Sequence, residues 1–251
     1  MSATAQEELH RLTVTLKEYV RYQQRLGLRL VEHISKPIVA EPVVKSESIP
    51  APELTLQPAS EAAPQEVITL EEVRAELGDC QRCKLWRTRT HLVFGAGDPH
   101  ARLVFIGEAP GEAEDRQGEP FVGRAGQLLN RLLSKLEISR QEVYITNINK
   151  CRPPNNRTPE ADEIAACRPF LWKQLQAIRP QVIVTLGAVA IHALLETKAP
   201  LNRLRGHWQQ WRGIAVMPTF HPSYLLRVPQ ERVKTWEDMQ QVLALYRPSK
   251  D

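Results

Sequence analysis

Two features of the sequence predict an α/β fold built on a four-stranded parallel sheet. Four short apolar runs, Leu103–Ile106, Val143–Asn147, Val182–Leu186 and Ile214–Met217, have the length and composition of buried strands. Helical segments lie between them, and strands that alternate with helices call for a parallel sheet covered on both faces. Thr69, followed three residues later by Glu72, opens a first helix that Gly78 ends. Further helices are predicted over Ala125–Leu136, Pro159–Ile178, Ala188–Leu195 and residues 230–246. In such sheets ligands bind beyond the carboxyl ends of the strands. Three of the four ends carry suggestive chemistry: Gly107-Glu108 after the first, Asn147 where the second (taken as an edge strand) becomes a loop, and His221 just after the fourth.

The segment before residue 68 has a different character. Leu9, Leu12, Leu16, Tyr19, Val20, Leu26, Leu30 and Val31 recur at roughly helical spacing, which predicts an amphipathic helix within residues 1–34. Residues 35–67 hold six prolines and no glycine, and no aromatic residue lies between Tyr22 and Trp86, so this stretch reads as a disordered linker. Residues 1–34 are then either a tethered element for a protein partner or for oligomerisation, or a weakly ordered tail. The globular domain is assigned to residues 68–251 and is expected to act as a monomer.

No apolar stretch approaches the roughly 18 residues that a spanning helix needs. The polar, acidic start has no basic and apolar leader, so a cytoplasmic, nucleoid-associated location is expected. Charge is unevenly spread. Residues 1–67 carry 7 Lys/Arg and 9 Asp/Glu, net −2, whereas residues 68–251 carry 26 and 20, net +6. The basic excess on the globular part fits a polyanionic partner, although many ordinary enzymes are as basic.

Four cysteines remain to be placed: Cys80, Cys83, Cys151 and Cys167. In the expected reducing compartment they are not disulfides. Cys80 and Cys83 are spaced to grip one metal centre from a tight turn, and four thiolates suit either tetrahedral zinc or an iron–sulfur cluster. The bland alternative is a set of unrelated buried thiols.

Three segments carry the candidate chemistry. Gly107 to Gly126 holds five glycines, two prolines and the carboxylates Glu108, Glu112, Glu114, Asp115 and Glu119. It has no Gly-Lys-Ser/Thr of a phosphate loop and not the glycine spacing of a dinucleotide fingerprint. A solvated acidic loop would explain the charge but not the apolar Phe121, a ring suited to stacking on a planar ligand. Asn147 offers an acceptor and two donors that can match the N3–H and O4 of uracil, a pattern that cytosine reverses. Turn-forming asparagine is its ordinary explanation. His221, restricted by Pro222, can point into a cleft and stabilise a leaving group. Ser223 and Arg227 can hold phosphates, and Leu225 or Leu226 can wedge into a duplex.

With these segments the sequence resembles the family 4 uracil-DNA glycosylases over about residues 68–248. The resemblance rests on Gly107-Glu108-Ala109-Pro110-Gly111 with Glu114-Asp115, on Pro120-Phe121-Val122-Gly123 with Ala125-Gly126, on Thr146-Asn147 with Lys150-Cys151-Arg152-Pro153-Pro154, on His221-Pro222-Ser223, and on the four cysteines. It implies a three-layer α/β/α sandwich with a four-stranded parallel central sheet, and uracil-containing DNA, single or double stranded, as substrate. It implies a structural [4Fe-4S] cluster on Cys80, Cys83, Cys151 and Cys167 that staples the first helix to the loop carrying Arg152 and Arg157. Phe121 resembles the ring that stacks on flipped uracil, Asn147 the base-reading amide, and His221 the group that bonds uracil O2. Glu108 lies at the motif position linked to catalysis. Glu114 resembles the side chain that crowds the thymine methyl, with Asn156 as its support. Ala109 and Gly111 would line the pocket, and Arg152, Arg157, Ser223, Leu225 and Arg227 would meet the DNA.

One departure matters: where better-known glycosylases place a water-activating Asp, this sequence has Ala109, so Glu108 or Glu114 must orient the water. No catalytic lysine stands in these motifs, and no basic insertion lies between Gly126 and Asn147. The expected reaction is therefore hydrolysis that leaves an intact abasic strand. A non-catalytic iron–sulfur DNA-binding module is the rival. A metal-dependent nuclease fits worse, because the acidic loop has no partner ligands on the other strands.

Overall fold

A computed structural model describes residues 68–247 of the chain, so the expectations for residues 1–34 and 35–67 lie outside the described residues. Helix α1 (Leu70–Leu77) forms as its sequence predicts. Thr69 and Glu72 cap its start reciprocally, and Gly78 ends it at φ 52°. Its buried Leu70, Val73 and Leu77 pack on α4 (Ala161–Ile178).

The sheet has six strands rather than four. In chain order they are β1 (Ala96–Gly97), β2 (Leu103–Gly107), β3 (Tyr144–Asn147), β4 (Val182–Leu186), β5 (Gln209–Trp211) and β6 (Ile214–Thr219). Their spatial order is β1-β3-β2-β4-β6-β5. The four predicted strands are the four central ones, and they pair in parallel. The correction is a short antiparallel strand at each edge. Neither has an apolar run to betray it: β1 is two small residues, and β5 is Gln-Gln-Trp. Because β1 pairs with β3, Asn147 does not lie on an edge strand.

Side-chain alternation along the strands divides the core in two. Val104, Ile106, Ile183 and Val216 face α1, α4 and α5 (Ala188–Leu195). Leu103, Phe105, Val184 and Met217 face α3 (Arg124–Lys135) and α8 (Arg232–Tyr246). Helices thus cover both faces, which gives the three layers. Three short helices decorate the carboxyl ends of the strands: α2 (Glu112–Gln117), α6 (Leu201–Leu204) and α7 (Pro222–Arg227). No helix among the described residues is long and apolar enough to cross a membrane.

Candidate active site

The carboxyl ends of the central strands open into a cleft of about 640 Å³. Glu108, Ala109, Gly111, Glu114, Phe121, Asn147 and His221 all line it, so residues that span more than a hundred positions of sequence meet there. The fourth strand end, after β4, also contributes: Gly187, Ala188 and Val189 form part of the wall, with Leu201 and Asn202 of α6 beside them. The sequence reading passed over these residues, although their place after a central strand was the available signal.

The floor is tightly determined. Phe121 is buried and sits at φ 54°, a left-handed conformation unusual for an aromatic residue. Gly126 permits this loop, since a Cβ there would lie 1.8 Å from the Phe121 carbonyl oxygen. Gly107 permits the approach of two site residues: a Cβ on it would meet Asn147 Oδ1 at 2.3 Å and the Phe121 ring at 2.6 Å. The Phe121 and His221 rings lie 5.7 Å apart between centroids. Asn147 is 2% exposed, and its Oδ1 has no hydrogen-bond partner among the described residues. An amide oxygen left buried and unpaired is costly to a fold, and its position in a cleft marks it as an acceptor waiting for a donor.

His221 caps α7. Its Nδ1 accepts from Ser223 N–H at 3.1 Å and lies 2.7 Å from Ser223 Oγ. A backbone N–H can only donate, so Nδ1 is the acceptor nitrogen and Nε2 carries the proton. Burial, with the nearby Arg227 charge, pushes His221 down to about 4, so the ring is neutral at physiological pH. Ser223 therefore orients the histidine, which corrects its assignment as a free phosphate ligand.

The two candidate carboxylates differ. Glu114 accepts from Val122 N (3.1 Å) and Gly123 N (2.9 Å) with one oxygen and from Gly111 N (3.1 Å) with the other. It clamps the start of α2 to the Phe121 loop. The expected support from Asn156 is absent, because Asn156 Oδ1 accepts from Arg152 Nε at 2.8 Å instead. Glu108 is half-buried beside the cleft. Desolvation raises its pKa, opposed by a hydrogen bond from Thr158.

The DNA-contact assignments divide. Arg227 is exposed at the cleft. Leu225 cannot be the wedge: with Pro222 it forms the buried face of α7, one turn of helix apart, while Leu226 points away from that face and is partly exposed. Arg152 lies outside the cleft lining, held by Asn156. Arg157 lines the cleft but is committed to the buried Glu163 through paired bonds of 2.7 and 2.9 Å.

This pairing yields a prediction. Arg157 is the first cause holding Glu163 below the ordinary carboxylate value. Arg157→Ala leaves Glu163 with Lys84 as its nearest cation, at 3.8 Å, and lowers Tm at neutral pH. The stabilising contribution is complete above about pH 4.5, the unfolded value, and fades as pH falls through the depressed folded one. Calorimetry at pH 7 and pH 3 should show the deficit narrow in acid. An unchanged Tm with weakened DNA binding would return Arg157 to the phosphate-contact assignment.

The four cysteines are free thiols, Cys151 and Cys167 buried, Cys80 and Cys83 partly so. They are mutual electrostatic neighbours: Cys80 acts on Cys83 and Cys151, and Cys83 and Cys151 act on Cys167. Donors face their sulfurs, with Arg89 at 3.1 Å from Cys151, Lys150 N at 3.3 Å from Cys167 and Arg82 at 3.4 Å from Cys80. Among the described residues no three His, Cys, Asp or Glu side chains gather around a single-ion site.

Comparison with known proteins decides the family. The sequence profile of the uracil DNA glycosylase superfamily matches residues 94–243. The chain belongs to that superfamily, in its type-4 branch. It is 45% identical over 182 residues to the Type-4 uracil-DNA glycosylase of Saccharolobus solfataricus, covering 69% of this chain and 84% of that one. The Sulfurisphaera tokodaii protein of the same name is 43% identical, covering 70% and 84%. The Thermotoga maritima one is 50% identical over 160 residues, covering 63% and 83%. The superfamily match takes in the cleft residues from Glu108 to His221, whereas Cys80 and Cys83 precede it.

Proposed function

We propose that this protein removes uracil from DNA by hydrolysing its bond to deoxyribose, releasing free uracil and leaving an intact abasic strand. The observation that carries this reading is the buried, unpartnered Oδ1 of Asn147 beside the Phe121 ring, in a cleft large enough for one base. A flipped uracil would stack on Phe121 and donate its N3–H to that oxygen. As the glycosidic bond breaks, negative charge grows on the base and positive charge on the sugar. The neutral His221 donates from Nε2 to the uracil oxygen, where a fixed donor in a dry site stabilises the anion. Glu108 is the carboxylate with oxygens not bound up in backbone caps. Its raised pKa makes it the stronger base toward the attacking water. Glu114 shapes the pocket and the Phe121 loop.

Cys80, Cys83, Cys151 and Cys167 would hold the [4Fe-4S] cluster. Bound there, it would supply a structural staple joining the segment after α1, the loop after β3 and α4. The donor set supports this: four free thiols, with cationic and amide N–H groups aimed at the sulfurs of Cys80, Cys151 and Cys167. Exposed Arg227 at the cleft mouth and the basic domain suit a DNA backbone. On this reading the protein works as a monomer on DNA in the nucleoid.

The test is a single-uracil oligonucleotide treated with protein in chelator, then with alkali, and run on a gel beside thymine and cytosine controls. Alkali-dependent cleavage at uracil alone is expected. Intact strands from folded, fully loaded protein would leave a DNA-binding module as the account, and cleavage without alkali would mean strand scission.

A further inference from the structure

Lys150 is 1% exposed, a full cation-bearing side chain within the protein. A buried lysine is rare without a paired partner. Among the described residues no carboxylate meets this one. Its Nζ donates instead to Asn147 O at 2.6 Å and to Thr146 Oγ1 at 2.7 Å. Asn147 ends β3, and the backbone bonding to the neighbouring segment continues through Ile148 and Asn149, whose N–H groups donate to Gly107 O and Glu108 O. The ammonium is the side-chain donor on the Asn147 carbonyl.

This contact sits at the end of a wholly buried network. Thr146 Oγ1 donates in turn to Phe94 O at 2.9 Å. Gln174 Nε2 donates to the same carbonyl at 3.0 Å and to the Tyr144 hydroxyl at 3.2 Å. The Lys150 main chain is fixed as well, its N–H donating to Cys167 Sγ and its carbonyl accepting from Val93 N at 2.8 Å. Both ends of the residue are therefore anchored, and its ammonium grips the Thr146 hydroxyl and the backbone of Asn147, the asparagine whose side chain opens into the cleft.

We propose that Lys150 is a positioning residue for the glycosylase reaction: it holds the main chain of Asn147 so that the amide meets the flipped base at the right angle. This rests on the base-reading role of Asn147. A charge-assisted bond to a main-chain oxygen fixes orientation more firmly than a neutral one, and a displacement of about 1 Å at a reacting centre can cost on the order of a hundredfold in rate. Lys150 itself touches no substrate, since it does not line the cleft.

The test is a double-mutant cycle on the holoprotein with a single-uracil duplex, using Asn147→Ala, Lys150→Met and the two together. Methionine keeps an unbranched chain one atom shorter and removes the donor. Lys150→Met alone is expected to lower kcat about 10- to 100-fold with KM changed less than about 3-fold, and to weaken the preference for uracil over cytosine. Combined with Asn147→Ala it is expected to cost nothing more, because a residue that acts through Asn147 has nothing left to position. Equal losses from Lys150→Met in both backgrounds, or no loss in either, would overturn the proposal. A fully active Asn147→Ala single variant would overturn the base reading itself, a failure visible before Lys150 is changed. If Lys150→Met does not fold, Thr146→Val removes the second anchor of the ammonium along with the bond to Phe94 O, a carbonyl that Gln174 still satisfies. It should give a smaller loss of kcat with the same non-additivity, and an additive loss would again overturn the proposal.

Discussion

Asn147→Ala is expected to lower kcat/KM for uracil release by about 10²–10³-fold, while binding of undamaged DNA stays close to that of the unaltered protein. The scale is that of one fixed hydrogen-bonding group removed from a site where charge develops. The direction follows from the geometry. Asn147 is buried at the end of a central strand, its backbone is tied by β2 and Lys150, and Gly107 brings the opposite strand close to its amide. A side chain held from so many directions cannot turn to suit another base, so its donor and acceptor order is fixed. On the proposed reading uracil would satisfy the orphaned Oδ1 through N3–H, whereas cytosine would present an acceptor at that position and leave the oxygen unpaired in a dry pocket. Sites built to hydrogen-bond a substrate group reject analogues that lack it far more strongly than apolar pockets reject a missing methylene. Single-turnover rates on uracil and cytosine oligonucleotides, with filter binding of undamaged duplex, measure both parts. Equal losses in catalysis and in binding of undamaged DNA would show Asn147 to be a general fold residue.

The sequence revealed the site better than it revealed the edges of the fold, and the reasons are physical. The four central strands are apolar on both faces, so each reads as a continuous hydrophobic run. β1 and β5 bury little, and their pairing depends on partners far away in the chain. A local signal for β5 did exist in Trp211-Arg212-Gly213-Ile214: the two turn residues adopt φ 48° and 84°, as a tight hairpin requires. Asn147, Phe121 and His221 were legible because each is odd in its context. Helix α2 was hidden by the glycines around it, and with it the true partners of Glu114, which are three backbone N–H groups. Ser223, Leu225 and Arg157 have in common that the folded chain gives each an internal partner. Their side-chain types suit DNA, but whether such a side chain is free depends on neighbours that only the folded chain supplies, here His221, the core beneath α7 and Glu163.

His221→Ala is the other large effect expected, again about 10²–10³-fold in kcat, and its pH dependence separates it from a general acid. Ser223 donates to Nδ1, so the proton on Nε2 faces the cleft, and burial holds the ring pKa at about 4. A neutral donor stabilises a uracil anion without giving up its proton, so the factor lost on substitution should be constant from about pH 5 to 9. A histidine that worked as imidazolium would instead lose its effect as pH rose through 6.5. Stability follows the same protonation in the opposite sense to a paired histidine. Between about 4 and 6.5 the unfolded chain binds a proton here that the folded chain refuses. The stability contribution is thus complete above pH 6.5 and falls as the pH drops toward 4, and His221→Ala should flatten that part of the Tm profile. Rate profiles of both proteins, with nitrogen NMR of the imidazole to read its tautomer, decide the matter. A rate ratio that changes across pH 6.5, with a ring protonated on both nitrogens, would replace the neutral donor with acid catalysis, and a neutral ring protonated on Nδ1 alone would leave the backbone N–H groups to hold the anion.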